Sequence, residues 1–238
     1  MVSAIIVAAG SSRRMGFDKL FAKLAGQPVL WHSIKAFEET PEVNRIVIVT
    51  REDRMDEVEK LIASGGFAKV SRIVSGGEER HISVWNGLQV LQEEGAEYVA
   101  IHDGARPLTT PKIIRACIEM ALLHGAACCA SPIPDTVKRA SIDQMVKESV
   151  ERTGLWAMQT PQAFNASLIL QAYAQLMARH EMVTDEVSAV QKLGKKIALL
   201  KSDDWNFKIT FPHDLELAEH VLALREKKKK KTKPKSAA

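Results

Sequence analysis

Short apolar runs alternate along the chain with longer stretches in which apolar residues recur every three or four positions. SAIIVAA (3–9), RIVIVT (45–50), VSRIVSG (70–76), YVAIHD (98–103) and AACCASPI (126–133) read as strands, because they are short, rich in β-branched residues and bounded by glycine or charge. Helical spacing fills the intervals. PVLWHSIKAFEE (28–39) sets Leu30, Ile34 and Phe37 on one face, and REDRMDEVEKLIAS (51–64) follows as a polar-faced helix. ERHISVWNGLQVLQEEG (79–95) sets Ile82, Trp85 and Leu88 in register. PKIIRACIEMALLHG (111–125) begins at Pro111 and stops at Gly125, the preferred terminal residues of a helix. Continuous apolar strands separated by helices predict βαβ units, hence an α/β fold with a Rossmann-like, mainly parallel sheet covered on both faces.

Residues 134–152 (PDTVKRASIDQMVKESVER) break this rhythm. The segment is polar, with a two-stranded excursion centred on Ser141–Gln144 as its natural reading, and an isolated hairpin is marginal in water. It is either a surface loop or an arm that a partner subunit holds. After it come LWAMQTPQAF, a helix from about residue 166 to 180, a helix over TDEVSAVQKLG, strands KKIALLK and FKITF, and a final helix PHDLELAEHVLALREKK. One domain over 1–225 with a basic tail at 226–238 is the expected organisation.

Charge changes the picture in one place. The formal net charge is +4, but residues 226–238 carry seven lysines and one glutamate, so the body of the chain is at −2 and the basicity is a solvated, disordered tail. No aromatic residue is interleaved among those lysines to stack on bases, which argues against nucleic-acid binding. No apolar run approaches the ~20 residues of a membrane span. The start, MVSAIIVAAGSSRRM, is apolar and then basic, the reverse of a secretory signal, so a cytoplasmic protein is expected. Cys117, Cys128 and Cys129 lie in apolar stretches without metal-ligand spacing and read as small buried hydrophobes.

In doubly wound sheets, ligands bind beyond the carboxyl ends of the strands. Three such loops are rich in glycine and charge: AAGSSRRMGFDK (8–19), SGGEERHIS (75–83) and HDGARP (102–107). In the first, small residues let backbone N–H groups approach an anion, while Arg14 and Lys19 add mobile positive charge. Its plain alternative is a solvated glycine turn. In the third, Asp103 ends a buried strand, where a carboxylate needs a cation. One aspartate beside a triphosphate meets the usual needs of magnesium, and Arg106 is close enough in sequence to share the pocket. The alternative is a turn-capping aspartate, and His102 reads as structural. In the second, Ser83 can hydrogen-bond a base or ribose, whereas Glu78 and Glu79 suit the start of a helix equally well. Lys208 alternates with Phe207 and Ile209 and is either an edge-strand gatekeeper or a phosphate ligand. There is no nucleophile elbow and no metal-binding cysteine or histidine pair, so positioning and charge stabilisation of phosphoryl-type transfer are what remains.

Taken in order, AAGSSRRMGFDK, GGEERHISV, HDGARP, PDTVKR, ERTGLWAMQTPQAF, TDEVSA and FKIT resemble the 2-C-methyl-D-erythritol 4-phosphate cytidylyltransferases over about residues 2–224. The resemblance implies a fold of the nucleotide-diphospho-sugar transferase type with a protruding β-arm. It implies that Ala8, Ala9 and Gly10 wrap CTP, that Arg14 and Lys19 stabilise charge on the triphosphate, and that Gly77 and Ser83 sit near the cytidine, with Glu78 where the family often has aspartate. Asp103 would hold Mg2+ and contact the sugar phosphate. Gly104, often alanine in relatives, and Arg106 would line the same site, and Lys208 would place the acceptor. Thr136 and Arg152 match residues that reach into a neighbouring subunit, which implies a homodimer with exchanged arms. A ribitol-phosphate cytidylyltransferase, a nucleotidyltransferase using another base, and a nucleic-acid-binding protein acting through the lysine tail are the alternatives.

Overall fold

The computed structural model describes residues 1–10, 15–202 and 205–232. A seven-stranded sheet organises the chain. In chain order the elements are β1 (Val2–Ala8), a two-residue pair β2 (Lys23–Leu24) and β3 (Gln27–Pro28), α1 (Val29–Glu38), β4 (Val43–Thr50), α2 (Met55–Gly65), β5 (Val70–Ser75), α3 (Arg80–Glu93), β6 (Tyr98–Asp103), α4 (Pro111–His124) and β7 (Ala126–Pro132). There follow β8 (Val137–Ala140), β9 (Val146–Val150), β10 (Trp156–Asn165), α5 (Ala166–Ala178), α6 (Glu186–Gln191), β11 (Ala198–Lys201) and α7 (His213–Thr232). The strand order is β11-β7-β10-β6-β1-β4-β5, and only β10 runs antiparallel to its neighbours.

The alternation of β1 explains the two faces. Ala4 and Ile6 point to one side, where Leu30, Ile34 and Phe37 of α1, Val58 and Leu61 of α2 and Ile114, Cys117 and Ile118 of α4 cover them. Ile5 points to the other, with Val84, Leu88 and Leu91 of α3 and Ile169, Tyr173 and Leu176 of α5. Helix α4 starts and stops where its sequence says it should. The Thr110 side chain accepts from the Ile113 amide, Pro111 follows in the first turn, and Gly125 closes the helix at φ 81°.

Three expectations change, and one stretch for which the pattern predicts no element acquires one. The segment LWAMQTPQAF is the long strand β10, inserted antiparallel between β6 and β7, with a register shift between Met158 and Gln162. FKITF is not a strand; it crosses the sheet end as irregular chain, tied by the Ile209 amide to the Ala105 carbonyl at 2.8 Å. The buried stripe of α3 is Val84, Leu88 and Leu91; of the expected set only Leu88 belongs to it, and Trp85 is half-buried, its ring stacked 6.5 Å from that of Tyr173. Helix α7 runs on to Thr232, so the first lysines of the basic tail continue a helix, while residues 233–238 lie outside the described residues.

Residues 134–152 form the expected two-stranded excursion. β8 and β9 pair antiparallel, with Val137 opposite Val150, and the turn at Ser141–Gln144 closes through Ser141 and Met145 backbone contacts. Cross-strand bonds are polar, as between Arg139 and Glu148 at 2.6 Å, and Ile142, Met145 and Val146 are exposed. The hairpin therefore brings no core of its own.

Candidate active site

The chain winds from β1 to β4 and β5 on one side and then returns to β6 on the other, and a crevice opens at the carboxyl ends of these strands. A cavity of about 550 Å3 occupies it. The three glycine-rich loops meet there, because Ala9, Gly10, Gly77, Ser83 and Asp103 all line it, together with Lys19 and Lys208.

The first and second loops touch so closely that only glycine fits. A Cβ on Gly76 would lie 2.4 Å from Ala9 Cβ and 2.8 Å from Ser83 Oγ. Ser83 is buried, and its hydroxyl accepts from the Gly77 amide at 3.1 Å and reaches the Glu79 carbonyl at 3.2 Å, so its observed work is to hold the glycine loop against α3. Asp18 anchors the far end of the first loop. Its carboxylate receives Arg51 at 3.0 Å and Arg54 at 3.2 Å, and the same Arg51 reaches the Gly10 carbonyl at 3.4 Å. The Lys19 ammonium donates to the Ile209 carbonyl at 2.9 Å, which draws the chain around Lys208 to the cavity.

Asp103 is the electrostatic centre. Its Oδ1 accepts from Arg80 at 3.1 Å; its Oδ2 accepts from Lys208 at 3.0 Å and Arg106 at 3.4 Å. Burial alone would push this carboxyl up, yet the charges of Arg80, Lys208 and Arg106 hold it far below the usual carboxylate range. Desolvation costs several kcal/mol per ion, while each pair at about 4 Å contributes roughly 4 kcal/mol at an effective dielectric of about 20. Three partners outweigh one burial. Arg106 also donates to the Asn206 carbonyl at 2.8 Å, and Lys208 is poised by Ile209, which is fully buried beneath α7.

His102, the residue before, is neutral. Complete burial is the main cause that drops its pKa to about 3. The Arg106 carbonyl can only accept, so His102 Nε2 carries the ring hydrogen and donates to it at 3.2 Å. In the neutral ring Nδ1 is then the acceptor, and it receives the Thr160 hydroxyl at 3.0 Å, whose oxygen also accepts from the Asp103 amide at 3.0 Å. His102 is thus a brace across the HDGARP turn, as the sequence suggests, and no acid or base.

Arg80 is the residue that sequence reasoning missed. It opens α3, lines the cavity, and spans two carboxylates: Asp103, and the fully buried Glu186 at the start of α6, 106 positions away. Nothing in local spacing announces that pair.

Residues 2–224 match the family model of IspD, 2-C-methyl-D-erythritol 4-phosphate cytidylyltransferase. The chain belongs to this family. The 2-C-methyl-D-erythritol 4-phosphate cytidylyltransferase of Lachnospira eligens is 42% identical over 223 residues, covering 92% of this chain and 97% of that protein. That of Caldanaerobacter subterraneus subsp. tengcongensis is 42% identical over 224 residues, covering 93% and 98%. The crystal structure of 4-diphosphocytidyl-2C-methyl-D-erythritol synthase from Anaerococcus prevotii superposes with a TM-score of 0.82 at 29% identity, covering 94% of this chain and 96% of that one. The chain is accordingly an enzyme of the nucleotidyltransferase class, and the ribitol-phosphate alternative is not favoured.

Set on the cytidylyltransferase framework, the expected site divides in two. Ala9, Gly10, Lys19, Gly77, Ser83, Asp103 and Lys208 share the cavity, with Glu78 at its rim. Buried Ala8 and Gly104 stand behind it, joined to neighbouring strands, and Arg106 enters through Asp103. Thr136 and Arg152 are exposed at the base of the arm and are not among the residues lining this cavity; the Arg152 guanidinium instead donates to the Pro134 carbonyl. Arg14 lies outside the described residues.

The close contact of the two loops yields a test. Gly76→Ala should weaken CTP binding by about tenfold or more, equivalent to about 1.4 kcal/mol, because the added methyl group pushes Ala9 and Ser83 apart. Isothermal calorimetry with CTP checks this, and an unchanged Kd would mean that the contact between the loops is irrelevant to the nucleotide.

Proposed function

We propose that this enzyme transfers the cytidylyl group of CTP to 2-C-methyl-D-erythritol 4-phosphate, giving 4-diphosphocytidyl-2-C-methyl-D-erythritol and pyrophosphate. The observation that carries the reading is the cluster of Arg80, Arg106 and Lys208 on one ionised aspartate, in a cavity walled by glycine loops, in a chain that matches this family from residue 2 to 224. An oxygen of the acceptor phosphate attacks the α-phosphorus of CTP. The bond from that phosphorus to the oxygen bridging the β-phosphate breaks, and pyrophosphate leaves with the electron pair. A phosphate nucleophile is largely ionised near neutral pH, so no general base is required. That agrees with His102 being neutral and fully engaged. Lys19 and Arg14 counter charge on the triphosphate, Lys208 and Arg106 bind the acceptor phosphate, and Gly77 and Ser83 shape the wall beside the cytidine.

Magnesium belongs to this proposal. Both oxygens of Asp103 already accept from cations, and no group of three or more His, Cys, Asp or Glu side chains able to hold a metal ion occurs among the described residues. An ion would therefore arrive with the triphosphate oxygens rather than reside on the protein, and Asp103, shared with Arg80, Lys208 and Arg106, would be its single protein ligand. When bound, Mg2+ would offset the triphosphate charge that builds as pyrophosphate departs.

The arm completes the proposal. Thr136 and Arg152 are not among the residues lining the cavity of their own chain; they lie on a hairpin with exposed Ile142, Met145 and Val146 and no core. Two chains exchanging arms about a two-fold axis would cover those apolar residues and deliver Arg152 to the partner's acceptor phosphate. No helix among the described residues is long and apolar enough to cross a membrane. The three free, buried cysteines suit a reducing cytoplasm.

The direct test is pyrophosphate release. CTP with 2-C-methyl-D-erythritol 4-phosphate should support turnover, while ATP, GTP and UTP, or ribitol phosphate as acceptor, should support far less; equal turnover with ribitol phosphate would overturn the substrate assignment.

Arm exchange has its own test. Arg152→Ala and Lys19→Ala homodimers should each be nearly inactive, whereas mixed dimers place both lesions in one site and leave the other whole. Co-expressed, differently tagged chains should recover a substantial fraction of activity. Mixed dimers that form without recovery would put Arg152 in its own subunit's site.

A further inference from the structure

A fully buried glutamate stands one residue behind the active site. Glu186 has no exposed surface, and each of its oxygens is engaged. Oε1 accepts from Arg80 at 2.5 Å and from the Tyr173 hydroxyl at 3.1 Å; Oε2 accepts from Arg80 at 3.2 Å. Its position on α6 is fixed from β10, where the buried Gln162 accepts from the Val187 amide at 3.1 Å and donates to Asp185 at 3.3 Å. Arg80 then turns its Nε to Asp103 Oδ1 at 3.1 Å. The guanidinium is shared between two carboxylates, one buried and one in the cavity.

A buried ion pair is weak support for stability, since apolar residues of the same volume often do as well or better. Three cations, Arg80, Arg106 and Lys208, meet two carboxylates, Asp103 and Glu186. Without Glu186, Arg80 would be free to move over Asp103 and compete for Oδ2, the oxygen that aims Lys208 and Arg106.

We propose that Glu186 and Arg80 are positioning residues of the transfer reaction: Glu186 clamps Arg80 so that it takes Oδ1 of Asp103 alone, which leaves Oδ2 to hold Lys208 and Arg106 in place for the acceptor phosphate. This rests on the cytidylyl-transfer reading of the cavity. It makes a distinction that charge alone does not. Glu186→Gln makes the site more positive, and simple attraction would then tighten phosphate binding. Clamping predicts the opposite sign, a loss. It also predicts that Arg80→Lys fails, since a lysine keeps the charge but has no fork with which to span two carboxylates.

The experiment is steady-state pyrophosphate release by the full-length protein, varying each substrate in turn, with thermal melting as a check on folding. For Glu186→Gln and Arg80→Lys, kcat/KM for the acceptor should fall by about 30-fold or more while KM for CTP stays within about threefold, the signature of a displaced acceptor grip. Acceptor kcat/KM that is unchanged or raised in either variant overturns the proposal, as does an equal rise in both KM values. If Glu186→Gln does not fold, Arg80→Lys on the cavity wall decides by the same criteria. An unmodified protein that releases no pyrophosphate with either sugar phosphate sinks the functional reading and this inference together; an active one with unaffected variants sinks only the inference.

Discussion

A carboxylate at the end of a central parallel strand, almost wholly buried at the cavity wall, finds little water, so Asp103 keeps its charge by gathering cations. The strand puts it there because β6 is apolar up to His102 and the crevice begins at the next residue. Arg80 comes from the start of α3, Arg106 from the turn after β6, and Lys208 from irregular chain a hundred residues downstream. One ion cluster therefore ties three separate segments to the same point. The cluster also gives the cavity its positive edge, since the cations exceed the carboxylates they meet. A site built this way needs no acid or base of its own. It holds charge in place before the reactants arrive, the arrangement that phosphoryl-type transfer rewards.

The glycine loops set the other boundary. Gly76 lets the chain after β5 lie against Ala9 after β1, and Ser83 stitches that contact to α3. The glycine loops and the ion cluster then share α3. Its first residue, Arg80, joins the cluster, and Ser83, one turn further on, holds the Gly76–Gly77 loop. A displacement of α3 would disturb both ends of the cavity, which is why the fully buried Val84, Leu88 and Leu91 on its inner face matter to function as well as to folding.

Much of this was legible in the sequence. Parallel core strands are continuous apolar runs, and each of the first five was read within a residue or two of its observed bounds. The loops after β1, β5 and β6 stand out in the sequence because glycine and charge concentrate at strand ends, and the fold brings all three to one cavity. The failures have physical reasons. β10 carries Gln159, Thr160 and Gln162, whose polar groups are met by Ser131, His102 and α6, and such tertiary partners cannot be foreseen from alternation. Residues 207–211 alternate like a strand because Ile209 must enter the core and Lys208 must leave it, but no strand among the described residues pairs with them. Trp85 drew the predicted face of α3 away from the true stripe, since a large aromatic half-buried on Tyr173 mimics a core position. Arg80 and Glu186 were invisible because a salt bridge across 106 residues leaves no periodic trace.

The central claim is that the Asp103 carboxylate works by holding cations, above all Lys208, in place. A double-mutant cycle measures that directly, through kcat/KM for the acceptor in Asp103→Asn, Lys208→Met and the double variant. If the carboxylate acts through the lysine, the double variant is little worse than the poorer single one, and the coupling is about 1 kcal/mol or more. Losses that simply multiply, with coupling within about 0.5 kcal/mol of zero, would mean the two side chains act independently and would contradict the account.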